Sequence, residues 1–535
     1  MTEAEAKATP ACSDWLEALA RDKRVTRLKR PEATLWIPVE RLNQFRAVWP
    51  EAPLEPEIAA PAGHQAAWSP DQALIEILRG RLEGLGPITQ TALAAPLAVE
   101  EAAAAGALAA LESEGTILRG RFDPGVNDEQ WCDRRLLARI HHTTIRRLRS
   151  EIEPVAVRDF LRFLFAWQHV AEDTRLEGRH ALSTALTVLE GFEAPAAAWE
   201  TEILPARLGG YEPAWLDAQC LAGRATWARL TPPVGGKGRS RAVTPVRSTP
   251  IALLDRRQLP LWISLCPQTS TTSSNLRAQS VLDCLVAQGA LFFDELVEAS
   301  HLLRPQVEEA LGELVALGLV TSDSFAGLRG LLVPSNQRKP ITGARRRGRI
   351  LNFDIESGGR WALIRRAPRI HEDARAAAIE HAARTLLQRY GIVFWRLLAR
   401  EADWLPPWRD LLRVYRRLEA RGEIRGGRFV AGFSGEQYAL PEAIGLLRET
   451  RRRPASEQWI SLSGADPLNL IGVLTPGPRL AALTDNRLVY QDGLPVATLS
   501  AGKVQFLATL DAKSQWEAEK RLVRSAARGL LSHLS

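Results

Sequence analysis

The sequence predicts an α+β protein, mainly α: a tandem array of winged-helix modules with a small β-barrel at its C-terminal end. Two observations carry this. A twelve-residue phrase is written twice, LESEGTILRGRF at 111–122 and LEARGEIRGGRF at 418–429, with a weaker copy, LVALGLVTSDSF, at 314–325. Each copy closes an amphipathic helix, turns at a glycine and enters a short strand, which is the joint between the last helix and first wing strand of a winged helix. Beyond residue 456 the apolar spacing changes from helical to alternating. There WISLSG, LNLIGVL, LAALTD, NRLVYQDG, LPVATLS and KVQFLATL are separated by Gly, Pro and Asn/Asp breaks, as in a small barrel of short strands.

The elements follow in order. Residues 1–44 read as a partial module, a third helix at 14–28 running into a wing that returns through TLWIPVERL. The two preceding helices are missing, so the chain is expected to begin inside a module, as a fragment or split product of something larger. Residues 45–67, rich in Pro and Ala, read as a linker. At 69–125 Ser69 caps a helix with Pro70 at its first position, and two further helices and a wing follow. Residues 128–190 read as a helical or winged-helix segment and 193–230 as another partial module. The stretch 231–250, TPPVGGKGRSRAVTPVRSTP, reads as a basic loop. A complete module is expected at 275–333, a basic loop and strands at 334–371, and a further complete module at 372–445. The barrel occupies 456–512 and a closing helix 513–535.

Composition bounds the chemistry. A chain of 535 residues exceeds what one core serves. No apolar run is long enough to cross a bilayer, and the polar N-terminus is no secretory signal. The five cysteines are odd in number, far apart and without metal-ligand spacing. This predicts a reducing, cytoplasmic setting with no metal and no cofactor. The net charge of +7 and pI near 9.4 favour a polyanionic partner such as DNA and no membrane. The excess is arginine, dense at 134–149, 338–349 and 449–453. A phosphate-binding loop needs Gly-x-x-x-x-Gly-Lys-Ser/Thr. The nearest stretch is VGGKGRS at 234–240, where Gly238 stands in place of the hydroxyl after Lys237. ATP hydrolysis is therefore not expected in this chain.

Most third helices are poor in cations: EEAAAAGALAALESEG and LRPQVEEALGELVALG are acidic. LPPWRDLLRVYRRLEARG instead carries Arg409, Arg413, Arg416, Arg417 and Arg421, suited to DNA. The loop arginines Arg345, Arg346, Arg347 and Arg349 are candidates for phosphate contact or for pairing with acid on a neighbouring subunit. Trp361 beside Arg360, and Trp395 beside Arg396, offer either stacking on unpaired bases or core packing.

The segments LRGRLEGLGPIT (78–89), EGTILRGRF (114–122), DEQWCDRRLLARIH (128–141), EIEPVAVRDFLRFLFAWQHV (151–170), EGFEAPAAAWETEILPAR (190–207), GGRWAL (358–363) and SGEQYALPEA (434–443) resemble the C-terminal domain of the bacterial Lhr, or large helicase-related, family. The resemblance covers nearly the whole chain in family order. It implies an accessory domain for a 3′-to-5′ helicase motor, fused or separate, that binds DNA and forms a homo-oligomer, a tetramer in the family. The fold it implies is also similar to that of AlkZ-type DNA glycosylases, and uracil excision has been assigned to the family. Under that alternative FAWQHV (165–170) corresponds to a helix-ending Gln-apolar-Gln motif: Gln168 matches and Val170 replaces the second glutamine. His169 would move a proton and Asp492 would supply a carboxylate, with Glu172 and Asp173 near in sequence. The structural alternative is that Gln168 caps a helix and His169 packs in a satisfied core. Glu436 and Gln437 of GEQYAL are expected to make structural hydrogen bonds after a wing.

Overall fold

In each copy of the repeated phrase the helix stops at its glycine. Gly115, Gly318 and Gly422 have φ of 72°, 69° and 76°, left-handed values that strain any residue with a Cβ. The wing strands Ile117–Gly120, Val320–Ser322 and Arg425–Gly427 begin within three residues. The computed structural model describes residues 1–535 apart from Pro10, 232–245, 268–274, 333–354, 365–371, Ser456 and 532–535.

The chain divides into two units, Met1–Leu148 and Arg149–Ser535. In the first, helix Cys12–Arg21 leads into the hairpin Val25–Lys29 and Thr34–Pro38, the expected third helix and wing. The expected linker is partly structured: Leu42–Val48 is a helix, and Leu54–Glu55 adds a strand to the hairpin. The module that follows is complete. Its helices are Pro70–Leu82, Gln90–Ala94 and Glu101–Ser113, and its wing strands Ile117–Gly120 and Gln130–Asp133. The returning strand lies between the short strand Ile88–Thr89 and the first wing strand, so the module extends past 125.

Three more modules in the second unit repeat this plan; the returning strand is the middle of three in two of them, and in the other it pairs with the first wing strand and makes a single bridge to Leu291. The partial module expected at 193–230 is complete. Its first helix, Leu182–Leu189, belongs to the segment read as 128–190. Its returning strand, Pro250–Asp255, pairs with Ala225–Ala228 and with Glu193–Pro195. The third module has helices Leu276–Gln288, Phe293–Ser300 and Arg304–Ala316, and its wing returns through Trp361–Leu363. The fourth comprises Glu372–Tyr390, the 3-10 turn Trp395–Arg400, Trp408–Ala420, and strands Ile392–Val393, Arg425–Gly427 and Gln437–Ala439. Helix Arg134–Ser150 has no buried residue, whereas Val157–Trp167 buries Phe160, Phe163 and Phe165 in one core with the fourth module and the C-terminal sheet.

Two glutamines hold the wings in the same way. Gln130 Oε1 accepts from the N–H groups of Phe122 (3.1 Å) and Asp123 (2.9 Å). Gln437 Oε1 accepts from Phe429 and Val430, both at 2.8 Å, and its amide nitrogen donates to Val430 O at 2.9 Å. Gln437 is fully buried, so the structural role expected for it holds. Gln437→Ala should leave two buried donors and an acceptor unpaired. A loss of at least about 3 kcal/mol is expected, at about 1–3 kcal/mol for each stranded buried group, read as a lower unfolding midpoint. An unchanged midpoint would refute this account of the wing.

The C-terminal strands Trp459–Ser463, Arg487–Gln491, Leu494–Ser500 and Lys503–Phe506 form an antiparallel meander in that order. Ala518 and Leu522 of helix Ala512–Leu531 pack against Val489, Val496 and Ala497. Among the described residues no ladder joins the first strand to the last, so the expected barrel is an open sheet here. LNLIGVL and LAALTD form no strand. Their backbone is held by side chains: Asp466 Oδ1 accepts from Leu468 N (2.9 Å), and Asn469 Nδ2 donates to Gly464 O (2.8 Å) and Leu480 O (3.0 Å).

Candidate nucleic-acid interface

The third helix of the fourth module, Trp408–Ala420, buries Leu411, Val414, Tyr415 and Leu418. Arg409, Arg413, Arg416 and Arg417 therefore share the opposite face. Their side chains are 81, 79, 60 and 56% exposed. Carboxylates space them without burying them. Asp410 lies 3.5 Å from Arg409 and 3.6 Å from Arg413, and Glu436 lies 3.1 Å from Arg416. Exposed pairs of this kind are worth about 0–1 kcal/mol, so an incoming phosphate can displace them. The wing adds Arg425 and Arg428, both exposed and unpaired with any carboxylate among the described residues. Those two stand in the repeated phrase itself, where the sequence offered them.

The wing is set against this helix by a buried acid. Glu419 accepts from Arg149 Nε (2.8 Å) and Nη2 (2.5 Å) and from Gly426 N (3.0 Å). A Cβ at Gly426 would lie 2.4 Å from Glu419 Oε1, and one at Gly427 would lie 2.2 Å from Ile152. Two glycines are needed because two side chains cross the wing there. Arg149 also reaches Glu436 at 3.4 Å, so one arginine ties helix and wing together.

The remaining candidates fall elsewhere. Arg345, Arg346, Arg347 and Arg349 lie outside the described residues. Arg360 is half-exposed and pairs with Asp323 at 2.9 Å. Trp361 is fully buried, edge-on to Trp227 at 6.1 Å, and its backbone bonds to Leu291 in both directions. It is core and stacks on no base, because the returning strand of the third module turns that side chain inward. Trp361→Ala should cost about 3–5 kcal/mol by thermal or urea unfolding, with affinity for DNA unchanged in the folded fraction. Trp395 is 45% exposed, with Arg396 over its ring.

Gln168 ends helix Val157–Trp167 and is fully buried. Its amide donates to Arg389 O (2.9 Å) and accepts from Arg207 Nη2 (2.8 Å). His169 takes the left-handed position after the helix, at φ 59°, with Nδ1 3.0 Å from Thr174 O. Burial pushes its imidazole below the usual histidine range, so it is neutral at pH 7. Asp492 turns the sheet hairpin at φ 48° and accepts from Glu457 N and Gln458 N at 3.0 and 3.2 Å. Its carbonyl takes Arg158 Nε at 3.0 Å. Arg158 and Gln168 are at opposite ends of that helix, about 15 Å apart at 1.5 Å per residue. Gln168 and Asp492 are therefore not brought together.

Two stretches match family models described as the winged-helix domain of the large helicase-related protein, at 155–250 and 372–459. Those two stretches are winged-helix domains of the Lhr type. The chain is 27% identical over 514 residues to an "Lhr helicase/probable uracil glycosylase" of Mycolicibacterium smegmatis, covering 89% of this chain and 32% of that protein. It is also 27% identical over 412 residues to the "Lhr helicase/uracil glycosylase" of Escherichia coli K12, covering 69% of this chain and 25% of that one. The chain thus spans a third or less of the length of these relatives. Among solved structures the Streptomyces sahachiroi DNA glycosylase AlkZ is similar over 70% of this chain and 98% of its own, at 13% identity and a TM-score of 0.40. No single helix among the described residues is long and apolar enough to cross a membrane.

Proposed function

We propose that this chain is a DNA-holding and assembly module for a 3′-to-5′ helicase motor, fused or separate, with no ATPase activity of its own. The third helix and wing of the fourth module lie on DNA, and the remaining modules build the scaffold and the contacts of a homo-oligomer. The observation that supports this reading is the exposed arginine row on Trp408–Ala420, continued by Arg425 and Arg428. A winged helix uses its third helix in the major groove and its wing on the backbone, and phosphate neutralisation supplies salt-dependent affinity. Fluorescence anisotropy on a labelled duplex across a salt series tests it, with light scattering for the oligomer. Salt-insensitive binding, or a strict monomer at micromolar concentration, would contradict the corresponding half of the proposal.

A second reading is excision of uracil or alkylated bases; the names of both relatives favour its uracil form. Gln168, His169 and Asp492 would carry it. Their separation and the engagement of Gln168 on both sides of its amide speak against a single site built from all three. Alkali-labile strand scission on uracil-containing DNA, assayed with Asp492→Ala and His169→Ala, tests this reading. Activity surviving both changes would remove these residues from it.

A further inference from the structure

A cavity of about 810 Å³ lies in the second unit, between the π-helical turn Trp199–Ile203, the strand Trp459–Ser463 and the C-terminal helix. That volume is in the range of small-ligand sites, and π turns are frequent at functional positions. The turn places Glu200 and Glu202 in the cavity wall. Glu200 is fully used: Arg329 donates to both of its oxygens (2.6 and 2.7 Å) and Tyr211 OH to one (2.9 Å). Glu202 gives Oε1 to Arg487 at 2.6 Å, and its other oxygen has no partner among the described residues. Burial raises both carboxyls above their ordinary range, so an additional N–H donor would relieve Glu202. Trp459 forms part of the wall, with the Arg521 guanidinium 5.9 Å from its ring centroid, so a base would stack on its other face. Arg175 and Arg247 also line the cavity and are exposed, and no carboxylate among the described residues pairs with either. Exposed cations, an indole and a carboxylate acceptor in one wall are the groups that a phosphate, a base face and a base edge would use.

We propose that this cavity takes one unpaired nucleotide of a single strand, with its phosphates on Arg175 and Arg247 and an amino-bearing base edge on Glu202. A carboxylate accepts well from an exocyclic amine. Thymine and uracil present their N–H between two carbonyl oxygens, which repel it. The site is separate from the arginine row on Trp408–Ala420 and does not depend on that row holding duplex DNA.

The test uses the full chain with labelled oligo-dC and oligo-dT, and a duplex as control. Oligo-dC should bind at least about tenfold tighter than oligo-dT, the ratio for one charge-assisted hydrogen bond. Glu202→Gln, which keeps an oxygen for Arg487, should bring the ratio to about one. Arg175→Ala with Arg247→Ala should weaken both strands and flatten the salt dependence by about 1.4 in log–log slope, at about 0.7 per phosphate. Both variants should leave duplex affinity intact. Equal affinities for the two strands in the unaltered protein, or a dC preference that survives Glu202→Gln, would overturn the proposal. So would dCMP binding as tightly as the strand, which would make the site one for free nucleotide. Loss of single-strand binding only on substituting Arg413 and Arg416 would assign that binding to the duplex face instead.

Discussion

Alanine at Arg409, Arg413, Arg416 and Arg417 together lowers affinity for duplex DNA at least about a hundredfold and flattens its salt dependence by about 3 to 4 in log–log slope. The slope follows from about 0.9 counterions released per phosphate neutralised. The affinity follows from charge-assisted contacts worth about 1.5–3 kcal/mol each, of which two suffice. All four side chains are more than half exposed, and surface changes of this kind move stability by about 0.5 kcal/mol or less. A loss of binding is thus a loss of contact. Alanine at Glu101 and Glu112, on the acidic third helix of the first module, is the matched control and should not weaken binding. A quadruple variant that binds with unchanged slope would place the interface on another face and remove the support for the functional reading.

The parts of this architecture that were legible in the sequence are those fixed locally. A helix-stopping glycine, a short strand and apolar residues at helical spacing lie within twelve residues of one another, so the first, third and fourth modules could be read directly. The second was seen by half. Its middle helix is the irregular turn Trp199–Ile203 running into Leu204–Arg207, with a proline inside, and it lacks a 3.6-residue period. Its returning strand starts at Pro250, far from Ala225–Ala228. The C-terminal sheet was over-read for a different reason. Leu468, Leu470, Ile471 and Val473 are all buried, and an irregular buried segment imitates a strand in composition. The arginine face needed only the helix. The setting of Gln168 was not readable at all, since its partners stand 39 and 221 residues away.

That setting makes Asp466→Ala one of the most damaging single changes expected in the second unit. Arg207 is fully buried and donates to both oxygens of Asp466 at 2.7 and 3.0 Å, to Gln168 Oε1 and to Ile203 O at 3.0 Å. Removing the carboxylate leaves a guanidinium in the core with neutral acceptors alone. Breaking a buried pair from one side costs about 3–5 kcal/mol, whereas replacing both partners by apolar residues of similar size is often neutral or stabilising. Arg207→Met with Asp466→Leu should therefore unfold near the unaltered midpoint, while Asp466→Ala unfolds well below it, both followed by tryptophan fluorescence in urea. Equal loss in the two variants would mean that packing, not charge compensation, governs this core. Gln168→Ala strands Arg389 O and one N–H of Arg207 Nη2, whose other N–H stays on Asp466, at about 1–3 kcal/mol each, so a drop in base excision in that variant would also reflect a loosened core. His169 is half-buried and bonded to one carbonyl. His169→Ala disturbs the fold least, and it is the substitution at which a catalytic role beside Gln168 would be visible as lost excision at unchanged stability.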